Sequence, residues 1–304
     1  MAHSGVAMRG VAMRGRAMRG GARVAVAVAA GVAARAALSA AVAAPGASAL
    51  RRTNFRGAQV SLVGGPVLAL TGSVAAVAGA LRAGDPSGGR VAAAAAVAGL
   101  ACGLVGGYDD IVGARPHQRA AKGFRGHLRA LRSGRITSGL VKIAGVGAAG
   151  LAAAAIIDGG HGGRSRHRVV DVLLGAGVVA GTANLINLFD LRPGRALKVG
   201  LVLAGPLVGG GGPGSGLAAG ALGAAVGVLP ADLDERIMLG DAGANALGAL
   251  IGTAALPRTG RSGRAALLAG IVALTAASER VSFTRVIAGT PVLRELDALG
   301  RRAG

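Results

Sequence analysis

Residues 104–126 read LVGGYDDIVGARPHQRAAKGFRG, an apolar run that stops on two adjacent carboxylates, Asp109 and Asp110, and gives way to a basic loop. The 18 residues before the pair, 91–108, carry no charge, close to the ~20 apolar residues that an untilted bilayer helix needs. Ionised acids are costly inside a bilayer and common where a membrane enzyme meets a polar substrate. This junction is therefore the first place to look for chemistry.

Composition points the same way. Apolar residues make up 52% of the 304, charged residues only 15%, and mean hydropathy is +0.56, which describes a bilayer protein rather than two soluble domains. With one Tyr, four Phe and no Trp, the usual interfacial aromatic belt is missing and arginine must anchor the helices. A net charge of +21 could suggest nucleic acid, but the cations are spread over loops between apolar runs and stacking aromatics are lacking, so no nucleic-acid partner is expected. Anionic lipid and phosphorylated substrates fit better. The single cysteine, Cys102, lies inside an apolar run and is read as packing.

The chain divides into a low-complexity basic segment, 1–23, with its near-repeats VAMRG, VAMRG and RAMRG; a membrane domain, 24–278; and a C-terminal tail, 279–304. Apolar runs at 24–50, 58–81, 91–108, 139–157, 169–189, 199–210, 217–229, 242–256 and 265–277 predict an all-α polytopic bundle of about nine transmembrane helices, the first retained rather than cleaved as a signal peptide. Small-x-x-x-small spacings, as at Gly223/Gly227 and Gly248/Gly252, allow close helix packing. If nine helices alternate, one set of loops holds 20 of the 34 basic residues and the other 13, with Arg35 inside the first helix. The richer set is assigned to the cytoplasm. Ten of the thirteen acids fall on that same side, which predicts an acidic cluster ringed by arginines at one membrane surface.

Three segments carry the site: Y108-D109-D110, N184-L-I-N187-L-F-D190 and M238-L-G240-D241-A-G243-A-N245. Asn184, Asn187 and Asp190 recur every three residues and form a polar stripe at a helix end. Oxygen ligands from several helix ends suit a hard cation such as magnesium, which keeps waters and bridges phosphate oxygens. The bland reading is that the asparagines bond between helices and the aspartates are solvated. Asp232, Asp234 and Glu235 are expected to be mainly exposed loop, and His117 and His127 mainly solvated. Arg115 to Lys142 contains eight basic residues and no acid, a run with a topological role and a compatible one in substrate capture.

In this order the segments resemble the polyprenyl-phosphate N-acetylhexosamine-1-phosphate transferase superfamily, from Arg52 to about Glu279. S61-L-V-G64-G65 is similar to the family's early P-x-x-G-G, Y108-D109-D110 to its paired aspartates, and K122-G123-F124 to the following K-G-L. N184-x-x-N187-x-x-D190 and L239-G240-D241-A242-G243 are similar to N-x-x-N-x-x-D-G-x-D-G and F-x-G-D-x-G-S. The resemblance implies a multi-pass cell-membrane enzyme with its active site at the cytoplasmic face, in which polyprenyl phosphate attacks the β-phosphate of a UDP-amino sugar and UMP leaves. It also implies that Asp241 binds Mg2+, that Asp109 or Asp110 positions or deprotonates the lipid phosphate, and that Asn187 and Asp190, with Asn184 on their stripe, line the nucleotide site. Lys122, Arg125 and Arg129 would neutralise charge on the transferring group. Family members are often dimeric, so a homodimer is a further expectation.

Departures stand beside the matches. Pro193 occupies the place of a second aspartate, Met238 replaces an aromatic residue expected to stack on the base, and a last helix is missing after Arg280. Two readings stay open: an active transferase, or a catalytically weakened paralogue that binds polyprenyl phosphate or envelope enzymes as a regulator. A transporter is disfavoured because the polar motifs lie at helix ends rather than at mid-membrane.

Overall fold

The computed structural model describes residues 3–115, 123–159 and 166–302, with side chains described outside 3–19, 123–125, 127–128 and 166. Twelve α-helices follow in chain order: α1 (His3–Ala43), α2 (Gly64–Leu81), α3 (Gly88–Val112), α4 (Gly123–Arg132), α5 (Ser138–Asp158), α6 (Arg166–Phe189), α7 (Arg195–Gly210), α8 (Gly212–Leu233), α9 (Gly240–Ala255), α10 (Arg261–Ser278), α11 (Phe283–Gly289) and α12 (Pro291–Ala298). The nine apolar runs map onto α1, α2, α3 and α5 to α10.

Among the described residues, six stretches are long and apolar enough to cross a membrane, in α1 (Gly20–Ala43), α2, α3, α5, α6 and α8, or seven if α10 and α11, bent by 88° at a short break, form one span. These mark a membrane protein, with fewer full-length spans than the nine expected. The shortfall has a physical reason in α7 and α9, of 16 residues each. At 1.5 Å per residue they rise about 24 Å, short of the ~30 Å hydrocarbon core. Every residue of α9 except Asp241 is buried, against α2, α3, α5, α6, α7 and α8. A helix jacketed by protein has no need to match lipid thickness.

Glycine sets how closely the helices approach. A Cβ added at Gly79 in α2 would collide with the Gly216 carbonyl of α8, and one at Gly216 with the carbonyl of Gly79. Gly220 lies likewise on the Ala75 backbone, Gly223 on Ala27 and Gly227 on Gly31, so α8 presents bare backbone to α2 and α1. Gly248 and Gly252 do the same for α9 against α6. In lipid, helix association comes from such packing rather than from burial of apolar side chains.

One short hairpin interrupts the all-helical pattern. β1 (Arg51–Thr53) pairs antiparallel with β2 (Gln59–Ser61), Arg51 opposite Ser61. Its turn forms because Asn54 Oδ1 accepts from the amides of Arg56 and Ala58, while Gly57 takes a φ of 81°. Ser61 also bridges the segment before α9: its amide donates to the Arg236 carbonyl, and its own carbonyl accepts from Met238. The hairpin thus ties the start of α2 to the approach to α9.

Ion pairs show the chain running up and down. At one end, the α10 start is pinned to the α5 end and α6 start by Arg264 on Asp158, at 2.6 and 3.0 Å, and by Arg261 on Asp171, at 2.7 and 2.9 Å. The other end collects the termini that carry Asp109, Asp110, Asp190, Asp232 and Asp241. The acids therefore do segregate between the two ends of the bundle.

If backbone contact between α2 and α8 sets the packing, Gly79→Ala costs about 2 kcal/mol. Gly89→Ala, at an exposed position of α3 with nothing within 4 Å of the new methyl, leaves stability unchanged or raises it by about 0.5 kcal/mol. Thermal unfolding of the detergent-solubilised chain measures the contrast, and equal effects would show that the contact is not limiting.

Candidate active site

The site is built on the N-terminus of α9. Gly240 has a φ of 60°, and a side chain there would run into both oxygens of Asp110. The chain therefore enters α9 with its first amides exposed to α3, and Asp110 Oδ1 and Oδ2 accept from the amides of Asp241 and Ala242 at 2.9 and 3.0 Å. The Gly240 amide donates to Asp190, at the end of α6. Carboxylates from two other helices thus satisfy three of the four orphan donors of a helix start, where the helix dipole also favours negative charge. Close packing makes this possible: Gly106 of α3 lies against the Asp241 carbonyl, and Gly65 of α2 against that of Leu239.

Around that start sits an ionic bridge. Lys142 Nζ, one turn into α5, lies 2.8 Å from Asp109 Oδ2 and 2.5 Å from Asp241 Oδ2, with the three side chains 22%, 14% and 22% exposed. The Ser138 hydroxyl donates to Asp109, and Asn245 Nδ2 donates to the Asp241 carbonyl at 2.8 Å. The adjacent pair Asp109 and Asp110 therefore meets Asp241, 131 residues on from Asp110, at one helix start. Lys142 is the residue that sequence reasoning does not single out: it reads as the last of eight cations in a run with a topological role and a compatible one in substrate capture, and the available signal is a single ammonium inside the otherwise apolar run 139–157.

Asp190 is half-buried, and burial, then the charges of Asp232, Asp110 and Asp241, push its carboxyl well above the usual range, against the opposing Gly240 amide. Asn187 is half-buried one turn earlier. Asn184 departs from the expected stripe: it is exposed and lines a cleft of about 750 Å³ between α6 and α10 with Thr275, Glu279 and Arg280. Arg129 is exposed on α4, and no described hydrogen bond or ion pair joins it to the carboxylates. Lys122 and the side chains of Arg125 and His127, like all of His117, lie outside the described residues.

Two acids expected in exposed loop are instead buried and structural. Asp232 accepts the Gly194 amide at 2.7 Å, and Glu235 accepts Asn54 Nδ2 at 2.5 Å with Arg56 Nε 3.3 Å away. Asp234 is exposed as anticipated, its side chain 55% accessible. Arginines gather beside the hairpin rather than around Asp109, Asp110 and Asp241: Arg51, Arg56, Arg236 and Arg302 line a cavity of about 1060 Å³ there, and Arg192 lies 4.1 Å over the Phe55 ring.

The C-terminal segment is docked rather than free. Asp297 of α12 accepts from Arg195 at 2.8 Å twice and from Arg301 at 2.6 Å, and Arg301 Nε donates to the Pro193 carbonyl at 2.9 Å. Burial works against its charge, but the two guanidiniums hold the Asp297 carboxyl below the usual range. Phe283 stacks on Phe189, ring centres 5.0 Å apart. Pro193 is buried under this latch.

The donor set bears on a metal. No group of three or more His, Cys, Asp or Glu side chains poised to hold an ion occurs among the described residues. Magnesium, however, commonly takes one or two carboxylates and completes its shell with water and phosphate. Asp109 and Asp241 already share one cation through their oxygens, a donor pair of the kind that fits such an ion. No protein-family model matches the chain, and no curated protein is significantly similar to it.

Two expectations follow. Lys142→Met leaves Asp109 and Asp241 facing each other without a cation and costs about 2 kcal/mol, less than a fully buried pair because the site is partly wet. Adding Asp109→Asn returns most of that loss, as a double-mutant cycle by thermal unfolding would record. Because folding raises the Asp190 pKa, its contribution is present in acid and lost as pH rises through the folded-state value. Asp190→Asn is therefore more stable than the parent at pH 8, with the advantage gone by pH 3; a pH-independent difference would contradict the assignment.

Proposed function

We propose that this protein is an integral membrane phosphotransferase that moves a sugar-1-phosphate from a nucleotide sugar, of the UDP-amino-sugar class, to polyprenyl phosphate at the cytoplasmic face of the cell membrane. The observation that carries the reading is the Lys142 ammonium held jointly by Asp109 and Asp241 at the acid-rich end of an apolar helical bundle. Phosphoryl transfer asks little covalent work of a protein; it needs charge neutralisation and alignment of attacking and leaving oxygens. The resemblance in motif order adds the substrate class.

In the reaction, an oxygen of the lipid phosphate forms a bond to the β-phosphorus while the bond from that phosphorus to the bridging oxygen breaks, and the nucleoside monophosphate leaves with the electron pair. One phosphoanhydride replaces another, and a fully ionised lipid phosphate needs no net proton transfer. Asp109 accepts the proton when the lipid phosphate arrives singly protonated. Lys142, held between Asp109 and Asp241, neutralises charge developing on phosphate oxygens brought against it. Asp110 keeps α9 in place and is a positioning residue. Asp109 and Asp241 would hold Mg2+, which when bound would supply further neutralisation of phosphate charge. Asn187 and Asp190 face the nucleotide side.

A second reading has its own support. Pro193 stands where the family carries an aspartate, and it is buried beneath Arg301, which favours a binding paralogue that retains polyprenyl phosphate without turning over a nucleotide sugar.

The full chain in detergent, given Mg2+, undecaprenyl phosphate and a panel of nucleotide sugars, is expected to release a nucleoside monophosphate. Asp241→Asn and Lys142→Met each lower the rate about 100-fold or more. Release from no donor by a folded protein that still binds the lipid would replace the transferase with the binding role.

A further inference from the structure

At the end of the bundle away from the carboxylates, two cavities join. One, of about 650 Å³, is a trough between α1 and α2 walled by Ala25, Ala29, Ala33, Leu70, Val74 and Ala78. Its lining is almost wholly apolar. The other, of about 720 Å³, opens above it and is walled by polar backbone of Gly209 to Gly212 together with Arg23, Arg82 and Asp85. Ala22, Val26 and Arg82 belong to both, so the apolar trough runs directly into the polar chamber at Arg82.

The charges in the chamber are unequally committed. Asp85 is turned inward on its own turn, its Oδ1 accepting from the amide and hydroxyl of Ser87 at 2.8 and 2.6 Å. Arg23 is anchored by Nη1 donating to the Val208 carbonyl at 2.8 Å. The Arg82 side chain is exposed and makes no hydrogen bond or ion pair among the described residues, although it stands at the seam of the two cavities. A trough with room for a hydrocarbon chain thus ends beneath a guanidinium that lacks an anion, with a second guanidinium on the opposite wall.

We infer that this composite groove binds an anionic diacyl phospholipid, one acyl chain in the α1/α2 trough and the phosphate between Arg82 and Arg23. A zwitterionic lipid would bring its own cation into the arginine pair, and a soluble phosphodiester would leave the trough unused. The headgroup charge and the hydrocarbon must therefore act together. Because the groove lies at the opposite end from Asp109, Asp241 and Lys142, the inference stands whether or not the protein is a transferase.

Native mass spectrometry of the full chain released from detergent, after incubation with phosphatidylglycerol or phosphatidylcholine of the same acyl chains, tests it. The parent is expected to retain phosphatidylglycerol preferentially, and Arg82→Ala to weaken that retention about fivefold, the size of one cation acting on an anionic headgroup. Ala29→Trp, at an exposed position that fills the trough, should lower retention of phosphatidylglycerol by a similar factor while leaving Arg82 in place. Glycerophosphoglycerol, which has the headgroup without the chains, should fail to compete. Equal retention of the two lipids, retention unchanged in both variants, or full competition by the soluble headgroup would each overturn the inference. Elution as the parent species in gel filtration separates lost binding from lost folding.

Discussion

A half-buried carboxylate meeting the bare start of a helix is the contact on which the rest of this structure depends. Asp110 offers both oxygens to the amides that open α9, and Asp190 takes the amide before them. Since α9 is buried except at Asp241 among six other helices, water has little access to its leading N–H groups. Without those acids the donors would be left orphaned in an apolar interior, at a cost of about 1–3 kcal/mol each. The same acids fix where Asp241 points, and so where Lys142 can reach two carboxylates together. Architecture and candidate chemistry share one set of atoms.

Packing has to be tight for that arrangement to exist. The amides of α9 reach Asp110 only because glycine at 106 lets α3 approach the Asp241 backbone, and Gly65 lets α2 approach from another side. A methyl at either position would push a helix outward and lengthen both bonds to Asp110. Glycine enrichment in this chain, 56 of 304 residues, is thus partly a requirement of the site. Many of these residues are present because something else has to come close.

Much of this was legible in the sequence. The nine apolar runs, the convergence of Asp109, Asp110 and Asp241, the packing role of Cys102 and the division of acids between two ends all follow from periodicity and charge placement, which report directly on bilayer partitioning. What stayed hidden depended on direction or on tertiary context. Lys142 looked like one more cation beside a basic loop because a linear string does not say which way a side chain faces. Asp232 and Glu235 read as solvated loop since burial by the hairpin and by Gly194 arises from residues 38 to 181 positions away. Asn184 shares its spacing with Asp190, yet two steps of three residues carry it about 120° around a helix of 3.6 per turn, onto the face toward α10. Helix length also misled where α7 and α9 are shielded from lipid.

The backbone-to-backbone seam between α2 and α8 has a mechanical consequence. Two helices that touch through main-chain atoms have no intervening layer of rotamers to reshuffle, so they cannot slide or tilt past one another in small steps. Whatever breathing the bundle does must be taken up where side chains mediate contact, along α6 and α10 and at the sharp elbow into α11. The side-chain seam between α6 and α10, which runs beside Asn184, is in that sense the compliant part of the frame.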